Sequence, residues 1–240
     1  MRKTLTALTA AVALVLTPTV AGAASGPAPA DVDGSSPSQG EPIPGVPTAE
    51  SADAEWRAWA QAVTNDARLR ADDPSPGCTV VESSVELVVD ADANAQIGAP
   101  ADLAMPVVRA VEDCGDEAAE AAAKPARGID AAPQARLASG NRCAYVSGGK
   151  ICISDSGSTI RGTYTASSST RGFVRLYQIS PSASGCPTGS TRATSSERSL
   201  SAGQTLSTWF YQTQNSGYNA TFWRDVTWGH TKAGSVCALL

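Results

Sequence analysis

Six cysteines, Cys78, Cys114, Cys143, Cys152, Cys186 and Cys237, constrain this chain more than any other feature. The number is even, no CxxC pair occurs, and the spacings fit no zinc module. His230 is the only histidine. No metal and no cofactor are therefore expected, and the cysteines read as disulfides of an exported protein. Cys78 and Cys114 stand alone ahead of an Ala-rich stretch and are expected to pair. In "CAYVSGGKIC" the register depends on the turn. A turn at Gly148-Gly149 sets Cys152 opposite Tyr145 and leaves Cys143 diagonal, about 7–8 Å away and hard to bridge. A turn at Ser147-Gly148 sets Cys143 directly opposite Cys152. A Cys143–Cys152 bond thus specifies the second turn, and leaves Cys186 to Cys237.

The N-terminus agrees with export. Arg2 and Lys3, an apolar run from Leu5 to Val20, and Ala21-Gly22-Ala23 make a secretory signal peptide over residues 1–23. The apolar run is too short and interrupted to span a bilayer. A secreted, extracellular protein is expected, with no membrane span.

Composition then divides the chain. Residues 24–50 are Pro, Gly, Ser and acid, an acidic leader that cannot repay its ordering entropy. Residues 51–115 read as a small α+β module closed by Cys78–Cys114. Ser51 is placed to cap a helix, with Asp53 and Glu55 in the first turn and Arg68 and Arg70 in the last. Trp56, Trp59, Ala60, Val63 and Ala67 form its buried stripe. Val85, Leu87 and Val89 alternate as in a strand. Residues 106–113 fit either a helix or a strand. Residues 116–138 read as an Ala/Pro-rich linker, with room for a short helix before Pro125.

From Ser139 the pattern changes to short β-branched and aromatic runs between Ser/Gly/Thr turns. About seven strands in the basic domain 139–240 predict a mainly β fold, a small disulfide-bonded sandwich or barrel. Residues 24–138 hold 20 acids against 7 Lys/Arg, a net −13; residues 139–240 hold 3 against 9, a net +6. Either the acidic part docks on the basic part, or the basic domain binds an anionic polymer.

"GYNATFWRDVTW" is the densest aromatic stretch. Read as a strand, it puts Tyr218, Ala220, Phe222, Arg224, Val226 and Trp228 on the core face. Trp223 then stands among Asn219, Thr221, Asp225 and Thr227. It either packs under a loop or pairs across the sheet with Trp209 or Tyr211, or it forms an exposed platform. Arg161, Arg175 and Arg224 are the cations placed to bind beside it.

The sequence carries no GxSxG, HExxH, P-loop or dinucleotide fingerprint. Its strongest catalytic combination is metal-free RNA cleavage, with Glu197 and His230 for proton transfer and Arg161, Arg175 and Arg224 as phosphate clamps. The plain reading makes His230 a tail residue after a turn glycine and Glu197 part of an exposed turn. The sequence is therefore read as a secreted, non-enzymatic protein whose basic domain binds a cell-surface polysaccharide or other anionic envelope polymer. The alternative is a proprotein whose acidic part masks a toxin or ribonuclease-like domain.

Overall fold

The computed structural model describes residues 45–123 and 137–240. Residues 1–23, read above as a signal peptide, most of the stretch read as an acidic leader and the central part of that read as a linker lie outside the described residues.

Two antiparallel sheets face each other and enclose the main core. The strands in chain order are β1 (Thr79–Val89), β2 (Ala104–Asp113), β3 (Arg142–Val146), β4 (Gly149–Ser156), β5 (Thr159–Ala166), β6 (Thr170–Ile179), β7 (Ser190–Thr194), β8 (Arg198–Leu200), β9 (Gln204–Tyr211), β10 (Gly217–Val226) and β11 (Gly229–Leu239). The six-stranded sheet runs β1-β2-β9-β5-β4-β3. The five-stranded sheet runs β11-β10-β6-β7, with β8 also pairing β6. Inward-facing Val107, Ile151, Ile153, Tyr164, Leu176 and Phe222 are among the buried residues between the sheets. The Tyr164 and Phe222 rings stack across the gap at 3.6 Å.

Residues 106–113 fall within strand β2. It pairs with β1 on one side and β9 on the other. The strands of the expected separate 51–115 module thus belong to the same sheet as strands of the basic segment, and the described residues fall in one compact unit. The reason is on β2 itself. Val107 and Val111 point into the inter-sheet core while Val108 points outward, so both faces need cover that β1 alone cannot give.

Helix α1 (Asp53–Arg70) supplies that cover. Its stripe of Trp56, Trp59, Val63 and Ala67 packs on Val108, Trp209 and Tyr211. The cap differs from expectation. Ala52 is the N-cap, and the Ser51 hydroxyl is taken by the Thr48 N–H. On β1 only Val85 joins this cluster. Leu87 and Val89 are about half exposed, because β1 is the sheet edge. Short helix α2 (Ala91–Ile97) links β1 to β2, and α3 (Gly115–Ala123) occupies the start of the stretch read as linker.

All three disulfides join the expected partners: Cys78–Cys114, Cys143–Cys152 and Cys186–Cys237. Cys143 stands directly opposite Cys152, with Val146 paired to Gly149, so the turn is Ser147-Gly148. Gly148 takes a positive φ of 84°, the conformation this turn needs and L side chains resist. Among the described residues no helix is long and apolar enough to cross a membrane.

Candidate functional site

Strand register on the five-stranded sheet brings distant residues together on its outer face. Trp223 on β10 is opposite Lys232 on β11 and Phe173 on β6. Thr221 is opposite Arg175, and Asp225 opposite His230. Arg171, Phe173 and Arg175 alternate along β6 and so share this face. The band is closed by Glu197, in the short connection between β7 and β8.

At one end of the band four ionisable side chains meet. Glu197 Oε1 accepts from Arg171 Nε at 2.8 Å. Glu197 Oε2 lies 3.2 Å from His230 Nε2. Arg171 Nε is also 3.2 Å from Asp225 Oδ2. The Arg171 hydrogen bond, and after it that of His230, hold the Glu197 carboxyl below the usual carboxylate range. The same bond to Glu197 raises the Arg171 guanidinium above its usual value. Glu197 and His230 each keep about a third of their side-chain surface in water.

Phe173 organises the surroundings. The His230 ring meets it edge-on at 4.9 Å, and the Arg175 guanidinium lies 4.9 Å from its centroid. Arg175 Nε donates to Thr194 Oγ1 at 3.2 Å. Lys232 Nζ donates to the Cys186 carbonyl at 3.1 Å, and partial burial pulls its pKa below the usual lysine value.

Of the residues singled out from the sequence, Trp223 and Arg175 lie on this band and Arg161 and Arg224 do not. Trp223 is not a free platform. Its Nε1 donates to the Tyr177 hydroxyl at 3.1 Å, and its ring packs on the Tyr177, Ile179 and Cys237 cluster. Trp209 and Tyr211 lie in the other sheet, beneath α1. Arg224 Nη1 reaches Ser147 in the β3–β4 turn at 3.4 Å. Arg161 sits on the other sheet, bound to the buried Glu112 at 2.5 Å and to Ser207 at 3.3 Å.

Two positions differ from the strand reading of 218–230. Val226 pairs with Gly229, so Thr227 and Trp228 are the turn itself. Alternation stops there, and Trp228 is 95% exposed instead of facing the core. His230 is no tail residue. It lies at the start of β11, which holds its ring beside Glu197. Sequence reasoning missed Arg171 and Phe173, although "RGFVR" places cation, aromatic and cation on one face of a strand.

The ligand atoms of Glu197, Asp225 and His230 lie within 4.8 Å of one another, close enough to share a cation. The Arg171 guanidinium already contacts both carboxylates and offsets part of their charge. At the other candidate cluster, Cys78 and Cys114 are joined to each other and offer no thiolate beside Glu112.

A second feature lies on the outer face of the six-stranded sheet. A cleft of about 220 Å³ opens between the segment after α1 and strands β4, β5 and β9. Arg70, Asp73, Ser154, Ser156, Arg161 and Trp209 contribute to its walls. Its cations are matched: Arg161 by Glu112, and Arg70 by Asp66 at 3.4 Å. No protein-family model, curated protein or solved structure matches this chain.

Proposed function

We propose that the protein is a secreted binding protein for an anionic polymer, engaged along the outer face of the five-stranded sheet. The observation that carries this reading is the set of Lys232 on β11 and Arg171 and Arg175 on β6, either side of β10 on one sheet face. The carboxylates of Glu197 and Asp225 beside them are both held by Arg171. Among the described residues neither Arg175 nor Lys232 forms an ion pair with a carboxylate. A backbone of regularly spaced negative charge fits such a row of cations, and Trp228 at the hairpin tip offers it an indole face. The three disulfides accord with secretion into an oxidising compartment.

The polysaccharide reading draws support from the cleft on the opposite sheet. Paired charges, hydroxyls and an indole edge suit the hydroxyl groups of a neutral sugar better than a bare anion. The proprotein alternative draws less support. β2 is an interior strand, and releasing it would leave β9 with an unpaired edge and uncover Val108 and Trp209.

The test is retention of the full secreted chain on insoluble polysaccharide and cell-wall fractions and on immobilised polyuridylate, at two salt concentrations. Retention on the anionic supports that is lost in high salt is expected. Retention only on neutral polysaccharide, unchanged by salt, would move the function to the six-stranded sheet.

A further inference from the structure

The outer face of the five-stranded sheet carries proton-transfer groups beside its cations, and a catalytic role for them rests on the polyanion-binding function proposed for that face. We infer that Glu197 and His230 form a base–acid pair that cleaves RNA, with Arg171 and Arg175 holding the scissile phosphate.

The pair is assembled from separate parts of the chain. His230 comes from the start of β11, Glu197 from the β7–β8 connection, and both arginines from β6. The turn at Thr227-Trp228 puts the chain's sole imidazole on the face where Glu197 emerges. Phe173 supports both the imidazole and the Arg175 guanidinium on one ring. A proton donor and a phosphate-binding cation are thereby positioned by the same buried side chain. A pair serving only to tie two loops together would not need Arg175 beside it, a cation with no carboxylate partner among the described residues.

The chemistry balances with these groups alone. Glu197 takes the proton of a ribose 2′-hydroxyl, and the 2′-oxygen attacks the adjacent phosphorus. The O2′–P bond forms as the P–O5′ bond breaks. Protonated His230 gives its proton to the departing 5′-oxygen. The products are a 2′,3′-cyclic phosphate end and a 5′-hydroxyl end, and no oxidant or reductant is consumed. Arg171 and Arg175 offset the charge that builds on the phosphoryl oxygens. Glu197 ends protonated and His230 neutral. Their 3.2 Å contact is the path by which the proton returns and the pair resets. Arg171 binds the other carboxylate oxygen, so it leaves Oε2 free for this exchange. Trp228, two residues before His230, gives an unstacked base a surface. DNA lacks the attacking hydroxyl and is not a substrate.

The experiment uses the full secreted chain and three fluorescent single-stranded probes of one sequence: RNA, 2′-O-methyl RNA and DNA. RNA alone should be cut, leaving 2′,3′-cyclic phosphate ends. Glu197→Gln and His230→Gln should each lower the rate by about 100-fold or more, while thermal melting and binding to 2′-O-methyl RNA are retained. RNA bound but left intact, or cut equally well by both variants, would overturn the catalytic inference and leave polyanion binding standing. Failure to bind any of the three probes, with RNA uncut, would remove both.

Discussion

Glu112 on β2 and Arg161 on β5 meet at 2.5 Å, although 49 residues separate them in the chain. Glu112 is 1% exposed. The acidic half of the sequence therefore engages the basic half through a buried ion pair on a shared sheet. Arg198 binds Glu82 in the same sense, from the other sheet. Replacing Glu112 by Ala leaves Arg161 short of its partner in a partly dry site. The expected loss is about 3 kcal/mol, the low end for a broken buried pair, since Arg161 keeps some contact with water. Urea unfolding of Glu112→Ala against wild type measures it.

Three neighbours on one hairpin should respond very differently to truncation. Phe222 is fully buried and stacked on Tyr164, so Phe222→Ala should cost about 3–5 kcal/mol. Trp223 is half-buried and gives one hydrogen bond to Tyr177, and Trp223→Ala should cost about 1–3 kcal/mol. Trp228→Ala should change stability by less than about 0.5 kcal/mol. Thermal melting of the three variants gives the ranking. An equal loss at Trp223 and Trp228 would contradict the hydrogen-bonded position of Trp223.

The disulfides should differ in weight. Cys186–Cys237 closes a separation of 51 residues and Cys143–Cys152 one of 9. On the chain-entropy estimate the longer loop contributes about 4 kcal/mol and the shorter about 2.5–3 kcal/mol. Paired Cys→Ser variants should melt in that order. Peptide mapping of the unreduced protein should recover the three pairs and no free thiol.

Alkaline pH should destabilise the fold through its buried tyrosines, among them Tyr211, whose hydroxyl is held above the usual tyrosine value by burial and then by the bond to Asp66. Burial pushes both Tyr164 and Tyr218 up to about 12. An unfolded tyrosine ionises near pH 10, so above that pH the native state binds more protons than the unfolded state. Stability is then full below about pH 10 and is lost as pH rises toward 12. Ultraviolet titration should show these tyrosines ionising late, with unfolding.

Much of the fold was legible because the physics is local. Two-residue alternation marked β1 and β10, short β-branched and aromatic runs marked the rest of the segment after Ser139 as β, and a 3.6-residue stripe marked α1. Given a Cys143–Cys152 bond, the Ser147-Gly148 turn followed from pleat geometry. Three features were hidden. β7 and β8 are short and polar, so they carry no periodic signal. The joining of β2 to β9 is a long-range pairing that local composition does not report, and the acidic-to-basic change at the boundary suggested separation instead. The band on the five-stranded sheet depends on register: His230 reaches Glu197 only because β11 begins at Gly229, three residues beyond Val226.

The proposed polyanion binding by Arg175 and Lys232, on the outer face of the five-stranded sheet, is tested most sharply through salt. The measurement is the salt dependence of affinity for polyuridylate bearing 2′-O-methyl groups, comparing wild type with Arg175→Gln and Lys232→Gln. Each removed phosphate contact should lower the slope of log K against log salt by about 0.7, and Arg161→Gln, on the other sheet, should leave it unchanged. A slope unaffected by Arg175→Gln and Lys232→Gln but reduced by Arg161→Gln would contradict binding on this face and place it on the opposite sheet.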